Sequence, residues 1–172
     1  MISSARTLLR PLVPEDEMAF IAAAQASVSL HGPWFSTART VEAFQLLIDR
    51  QSDAFRTLVL IDQASGEPAG VFNLSQISMG LFRSAYMGYG AFLPHAGSGK
   101  MEEGMHSCLE WAFSRIGLHR LEANIRPENM RSIQLVKRVG FEREGYSKSY
   151  LFLDGAWRDH ERWAIREEIW VP

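Results

Sequence analysis

Two glycines separated by one serine, Gly97-Ser98-Gly99, stand where a strand-like run, 84–92, meets a helix-like run that ends near residue 115. Glycines at the start of a helix let the backbone turn tightly and leave several N–H groups without partners. These donors lie at the positive end of the helix dipole, so the turn is suited to an anion such as a phosphate. A plain turn before a helix has the same pattern, and the two glycines alone do not decide between these interpretations.

The elements that must position this turn follow from the periodicity of the apolar residues. Alternating or continuous apolar runs predict strands, and apolar residues spaced by three and four predict helices. The predicted strands are 6–12, 57–61, 69–77, 84–92, 121–125, 141–153 and 157–169, and the predicted helices are 18–26, 40–49, 101–116 and 132–139. The first strand is expected at an edge of the sheet, because prolines interrupt it.

This order of elements predicts an α/β (mixed α+β) fold: a mixed, mostly antiparallel sheet with helices on both faces. The helix at 101–116 connects strands 84–92 and 121–125, which are therefore expected to be parallel neighbours through a right-handed crossover. Gly88 and Gly90 lie inside the first of these strands and indicate a bulge, a bend or the close approach of a ligand's backbone, and the pair is expected to separate at such a bulge. A separation beside a phosphate-binding turn is a place for a long, thin ligand that ends in phosphates.

Composition restricts the function classes. The 172 residues are 47% hydrophobic and 22% charged, which is typical of one globular domain, 1–172. A net charge of −2 gives no attraction to nucleic acid or to a membrane surface, and the sequence has no apolar run of membrane-spanning length. Cys108 is the only cysteine and the histidines lack metal-ligand spacing, so we expect no metal site. Without a signal-peptide pattern, a cytoplasmic protein is expected.

Several motifs together resemble the GNAT superfamily of N-acetyltransferases. The segment Pro94-His95-Ala96-Gly97-Ser98-Gly99 stands in the place of that family's Arg/Gln-x-x-Gly-x-Gly/Ala signature. The pattern Asn-x-x-Ser-x-x-Leu-x-x-x-x-Gly-Phe resembles the RimJ/RimL branch, which acetylates ribosomal-protein N-termini. It is carried here by Asn129, Ser132, Leu135, Gly140 and Phe141. The resemblance covers roughly residues 6–165.

The resemblance implies a GNAT fold and acetyl-CoA as the acyl donor. The backbone of Ala91, Phe92 and Leu93 would pair with the pantetheine amides. N–H groups of the glycine turn would hold the pyrophosphate, and the residues concerned are His95, Ala96, Gly97, Ser98, Gly99, Lys100 and Met101. The Lys100 side chain either adds charge to the phosphates or lies in solvent. Asn129, Ser132 and Leu135 would border the pantetheine and the thioester, although Asn129 can equally cap the helix.

The acceptor implied by the resemblance is a primary amine, expected to be the α-amine of a protein N-terminus such as that of a ribosomal protein. Trp34, Asn73, Tyr89 and Glu122 are expected to contact it. Two alternatives stay open: a small amine such as a polyamine or an aminoglycoside-like compound, and a non-catalytic module that binds acyl-CoA. Nucleic acid and membrane are not expected as partners, and either a monomer or a homodimer fits.

The sequence departs from the family pattern at two places. Pro94 replaces the usual Arg or Gln, which removes one side-chain contact and one N–H group. Val136 stands where many members have a tyrosine acid, which leaves Ser132 as the expected proton donor to the departing thiolate. Glu122 is a candidate base, with a surface salt bridge as the alternative. Deprotonation through water or by the substrate itself also stays open.

Overall fold

The computed structural model describes residues 1–171, which form eight strands and five α-helices. The strands are β1 Ile2–Ser3, β2 Thr7–Pro11, β3 Phe55–Asp62, β4 Pro68–Ser78, β5 Ser84–Ala91, β6 Arg120–Ile125, β7 Glu142–Leu153 and β8 Ala156–Arg166. The helices are α1 Glu17–Ala26, α2 Val28–His31, α3 Val41–Asp49, α4 Lys100–Glu110 and α5 Met130–Val139. Helix α4 continues into a wider helical turn, Trp111–Ile116, which ends at Gly117.

All eight strands form one sheet in the order β1-β2-β3-β4-β5-β6-β8-β7. Every neighbouring pair is antiparallel except β5 and β6, which are parallel. The predicted mixed, mostly antiparallel sheet with one parallel pair is therefore confirmed. The parallel pair follows from the chain, because α4 returns it to the end of the sheet at which β5 began.

Helices cover both faces of the sheet, and each face has its own apolar core. Helices α4 and α5 pack on one face, with Leu58 and Leu60 of β3 below them. Helices α1 and α3 pack on the other face, where Val59 of the same strand is buried. Three consecutive side chains of β3 thus have no exposed surface, which explains its nearly continuous apolar sequence.

Local signals place the ends of the shorter helices. The Thr40 hydroxyl accepts a hydrogen bond from the Ala43 N–H at the start of α3. The Asn129 side chain accepts one from the Ser132 N–H at the start of α5. Gly140 ends α5 with a φ of +101°, in the left-handed region that favours glycine. Both helices therefore begin and end where the sequence predicts.

The edges of the sheet differ from the prediction. A two-residue strand, β1, pairs with Leu8 and Leu9, so the strand expected at the edge has neighbours on both sides. Its proline is tolerated because Pro11 is the last residue of β2. The final strand, predicted to reach residue 169, ends at Arg166 and is followed by a short 3₁₀ turn. No helix of the described part of the chain is both long and apolar enough to cross a membrane.

Candidate functional site

Strands β5 and β6 separate halfway along their length. They are paired only from Ser84 to Tyr86 on β5 and from Arg120 to Glu122 on β6. Beyond these residues each strand continues without its parallel partner, so the expected separation is confirmed. The expected bulge is wrong, because Gly88 and Gly90 pair in continuous register with Asn73 and Val71 of β4. The separation opens into a cavity of about 1050 Å³ that extends from the starts of α4 and α5 to α2 and the loop that follows it.

The glycine turn forms one wall of this cavity, the larger of two at the site, and presents a row of N–H groups without acceptors. Gly97 and Gly99 have φ values of +77° and +83° and both line the cavity. The N–H groups without an acceptor in residues 1–171 are those of Ala96, Gly97, Gly99, Lys100 and Met101. Adjacent N–H groups at the start of an eleven-residue helix form a site for an anion.

Two carboxylates in the first turn of α4 would repel an anion at this site, but both are paired. Glu103 binds Arg6 and accepts a hydrogen bond from Ser4, and Arg6 holds its pKa below the ordinary value despite partial burial. Glu102 lies 2.8 Å from the guanidinium of Arg138. The positive end of the helix is therefore not cancelled by its own acidic residues.

Three predicted contacts of the turn are wrong in detail. The His95 N–H donates to the Phe92 carbonyl oxygen, and the Ser98 N–H donates to that of His95. The Lys100 side chain lies neither over the cavity nor in solvent. Its ammonium is 2.8 Å from Asp62 and 2.9 Å from Nδ1 of His95, so it ties the turn to β3.

The end of β5 contributes less backbone to the cavity than predicted. The N–H of Phe92 donates to Ala69 of β4 and that of Leu93 to the Ser27 hydroxyl, so neither faces a ligand. Because antiparallel ladders alternate, the neighbouring Ala91 N–H points away from β4 and toward the separation. Ala91 lines the cavity, and its pairing with a pantetheine amide stays a prediction. Its carbonyl oxygen accepts a hydrogen bond from Nε2 of His31 at 2.8 Å.

Two hydroxyl groups meet where the strands separate. The Ser132 hydroxyl at the start of α5 lies 2.5 Å from the phenol oxygen of Tyr89 on β5. Burial raises the pKa of Tyr89, so its phenol stays protonated near neutral pH. Asn129 and Leu135 of the same helix line the cavity, and Val136 is fully buried in the core. Ser132 and Tyr89 are thus the two hydroxyl proton donors at this point.

A second, smaller cavity of about 110 Å³ lies beside the first. Residues common to the walls of both cavities are Trp34, Phe35, Tyr89, Asn129 and Ser132. The smaller cavity also reaches Asn124 and His160, whose strand positions face the side of the sheet covered by α1 and α3. The side-chain amide oxygen of Asn124, Oδ1, is buried and accepts no hydrogen bond. Such an acceptor indicates a ligand that donates hydrogen bonds.

Two predicted acceptor contacts do not reach either cavity. The Asn73 side chain accepts a hydrogen bond from Thr57 on the neighbouring strand β3. Glu122 lies on the paired part of β6 and forms a salt bridge with Arg120 at 2.9 Å. Arg120 also binds Glu144 through two nitrogens. Glu122 is therefore a member of an ion-pair network, which was the alternative to its interpretation as a base.

A family model described as "Acetyltransferase (GNAT) domain" matches residues 6–142, which include the glycine turn and the separated strands. The chain belongs to the GNAT acetyltransferase family. This assignment confirms the fold expected from the glycine turn and the Asn129–Phe141 motif.

Within the GNAT family, the chain is similar to an enzyme named for a ribosomal protein and to a solved RimJ structure. It is 39% identical over 113 residues to [ribosomal protein uS5]-alanine N-acetyltransferase of Escherichia coli K12, which is 66% of this chain and 58% of that protein. The match thus spans little more than half of that relative's length. The structure of Mycobacterium smegmatis RimJ in complex with CoA-disulfide is 29% identical, with a TM-score of 0.84 over 94% of this chain and 82% of that one.

A GNAT protein of different specificity shares the fold. Spermidine N-acetyltransferase from Vibrio cholerae, solved with CoA and spermine, has a TM-score of 0.81 at 20% identity, covering 96% of this chain and 98% of that one. At this identity the likeness concerns the fold alone. The acceptor has to be argued from the residues of the smaller cavity.

Sequence reasoning missed most of these residues. Phe35, Asn124, Arg126 and His160 all line the smaller cavity. Asn124 carries a weak signal, because it is a polar residue on the short strand whose separation was predicted. His160 carries no such signal, because no nucleophile motif accompanies it. Its place beside Ser132 depends on the position of β8 next to β6, which the pattern of residues does not reveal.

Proposed function

We propose that this chain transfers an acetyl group from acetyl-CoA to a primary amine, and that the amine is the α-amine of a protein N-terminus. One observation carries the proposal: the two cavities meet at Ser132 and Tyr89, between unpaired amides on one side and the buried Asn124 oxygen on the other. Unpaired N–H groups donate hydrogen bonds to a diphosphate, and the Asn124 side-chain oxygen can accept one from an amine.

The larger cavity fits acetyl-CoA on the chemistry of its walls. The unpaired N–H groups of Ala96, Gly97 and Gly99 suit the pyrophosphate, and those of Lys100 and Met101 lie at the start of the same helix. Arg131 at the cavity wall forms no salt bridge with the described residues, so its guanidinium is available to a further phosphate. When bound, acetyl-CoA supplies a thioester that is activated toward an amine.

The two hydroxyl groups serve the departing sulfur. Ser132 faces both cavities, and the protonated phenol of Tyr89 lies directly behind it. A proton given up by Ser132 can therefore be replaced from Tyr89 in the same step. General acid catalysis of this kind contributes less to the rate than holding the two substrates together, which the shared wall of the cavities does.

The walls of the smaller cavity favour an α-amine over a polyamine. The residues that line it include no aspartate and no glutamate, and one of them, Arg126, is cationic. Its guanidinium lies 4.8 Å from the centre of the Trp34 ring. A polycation entering this cavity would lose water and meet a like charge, whereas an N-terminus carries one amine and a polar backbone. The small volume also favours a small first side chain.

The test measures CoA release with a panel of amines. Peptides that begin with alanine or serine should be turned over, and the same peptides with a blocked N-terminus should not. Spermidine and a peptide that begins with tryptophan should show lower kcat/KM. If the protein prefers spermidine, the acceptor is a polyamine and not a protein N-terminus. Tight binding of CoA without turnover of any amine would favour the non-catalytic module.

A further inference from the structure

His160 lies on β8 and its ring forms part of the wall of the smaller cavity, although only 2% of the residue is exposed. Ser132, Tyr89 and Asn124 line the same cavity. The ring is therefore buried next to the point at which the two substrates would meet. The mechanism described above gives it no role and leaves the acceptor amine without a base.

One hydrogen bond determines which nitrogen of this ring carries the proton. Nδ1 of His160 lies 3.0 Å from the carbonyl oxygen of Arg158. A carbonyl oxygen can only accept, so Nδ1 is the donor and bears the hydrogen. In the neutral ring, Nε2 then carries the lone pair. Nε2 forms no hydrogen bond with any described residue, so the lone pair is available to a ligand.

Burial keeps the imidazole of His160 neutral at pH 7. Burial lowers the pKa of His160, and the nearby guanidinium of Arg126 lowers it further. The hydrogen bond to the Arg158 carbonyl oxygen acts in the opposite direction, as do Asp159 and Glu128. Glu128 is mostly exposed and lies 3.5 Å from Arg126. The centre of the Tyr150 ring on β7 lies 5.9 Å from that of the His160 ring. The net result is a pKa below the ordinary value.

We propose that Nε2 of His160 is the general base that accepts a proton from the acceptor ammonium. The proposal rests on the proposed function, because it requires an amine in the smaller cavity. The ammonium gives one proton to Nε2, and the resulting amine forms the C–N bond with the acetyl carbon while the C–S bond breaks. The nitrogen loses its second proton to water, and the departing thiolate takes a proton from Ser132, which Tyr89 and solvent restore. His160 then releases its proton to water.

A first test reads the ring itself and needs no turnover. In the protein without ligands, the ¹⁵N shifts of His160 should report a hydrogen on Nδ1 and none on Nε2 at pH 7. Its resonance should titrate below about 6.5, the ordinary histidine pKa. The resonance is assigned by its absence in H160Q. A hydrogen on Nε2, or a pKa above that of an ordinary histidine, would overturn the proposal.

A second test compares pH profiles of kcat/KM for a peptide substrate. In H160Q the rate should follow the fraction of free α-amine, rising about tenfold per pH unit up to the amine pKa near 8. Wild-type kcat/KM should be flat from about pH 6.5 to pH 8, so the deficit of the variant shrinks as the pH rises. Recovery at pH 9 distinguishes a lost base from a damaged fold.

The matched control is H119Q. His119 is half-exposed, pairs with Glu168 at the far end of β6 and lines neither cavity, so its profile should equal that of the wild type. If H160Q turns over peptides with an unchanged profile, His160 is not the base, and the proposed function stands. If the wild type turns over no amine, the proposed function fails and this inference fails with it.

Discussion

Replacing Gly97 with alanine should separate the anion site from the stability of the fold. Gly97 has a φ of +77°, in the left-handed region, and its N–H group has no acceptor among residues 1–171. A Cβ added here meets no atom within 4 Å, so steric overlap with the rest of the protein does not contribute. The effect of the substitution is therefore on the backbone conformation of the turn.

The magnitude follows from two ways in which the turn can respond. If the alanine keeps the positive φ, the fold loses about 1–2 kcal/mol of stability. If the residue moves to a negative φ, the N–H group turns away from the anion. A hydrogen bond to a charged group contributes about 1.5–3 kcal/mol, and 1.4 kcal/mol corresponds to a factor of ten. The Kd for CoA should then rise roughly 10- to 150-fold for each bond that is lost.

The control for this experiment is Gly80→Ala. Gly80 lies in the turn between β4 and β5, with a φ of +75°, open space around a Cβ, and no contact with either cavity. Both variants should lose similar stability in thermal denaturation, but calorimetry should show weaker CoA binding only for Gly97→Ala. If the two variants have equal CoA affinity although the turn of Gly97→Ala is shown to have moved, the N–H groups of the turn do not bind the phosphates of CoA.

Three further outcomes test the site and its supports. Ser132→Ala should lower turnover by roughly 100-fold or less without changing the calorimetric affinity for CoA, because positioning is retained. Lys100→Met should leave CoA affinity unchanged but lower the Tm in thermal denaturation. Lys100 lowers the pKa of Asp62 to about 2, so this Tm deficit should be full above pH 5 and close as the pH falls below 3.8. Gly90→Ala should raise the KM for the amine in steady-state assays and cost about 1–3 kcal/mol of stability, because its Cβ would overlap the Phe35 ring.

The parts of the fold that the sequence predicts are those encoded over short distances. The apolar run of β3, the cap at Thr40 and the glycine at the end of α5 each depend on residues within one element. The separation of β5 from β6 was also predictable, because Gly88 and Gly90 weaken a strand that leads into a glycine turn. Pattern and local chemistry agree at these positions, so each prediction needs no knowledge of the tertiary fold.

The parts that escaped prediction depend on partners far along the chain. The sequence leaves the Lys100 side chain either beside a phosphate or in solvent, but in the structure it binds Asp62 on β3. Glu122 was considered as a base, but its charge is engaged by Arg120, which also binds Glu144 on β7. The register of neighbouring strands determines which of several charged residues a side chain pairs with. One sequence, without coordinates, does not fix that register.

Residues from both sides of the sheet line the gap between β5 and β6. The first cavity extends from the starts of α4 and α5 to α2, and the smaller cavity reaches Asn124 and His160, which face the side of α1 and α3. Two reactants can therefore be present together in adjoining cavities, with no need for an acylated protein as an intermediary. A long polypeptide would only have to insert its tip, while the bulk of its body remains outside.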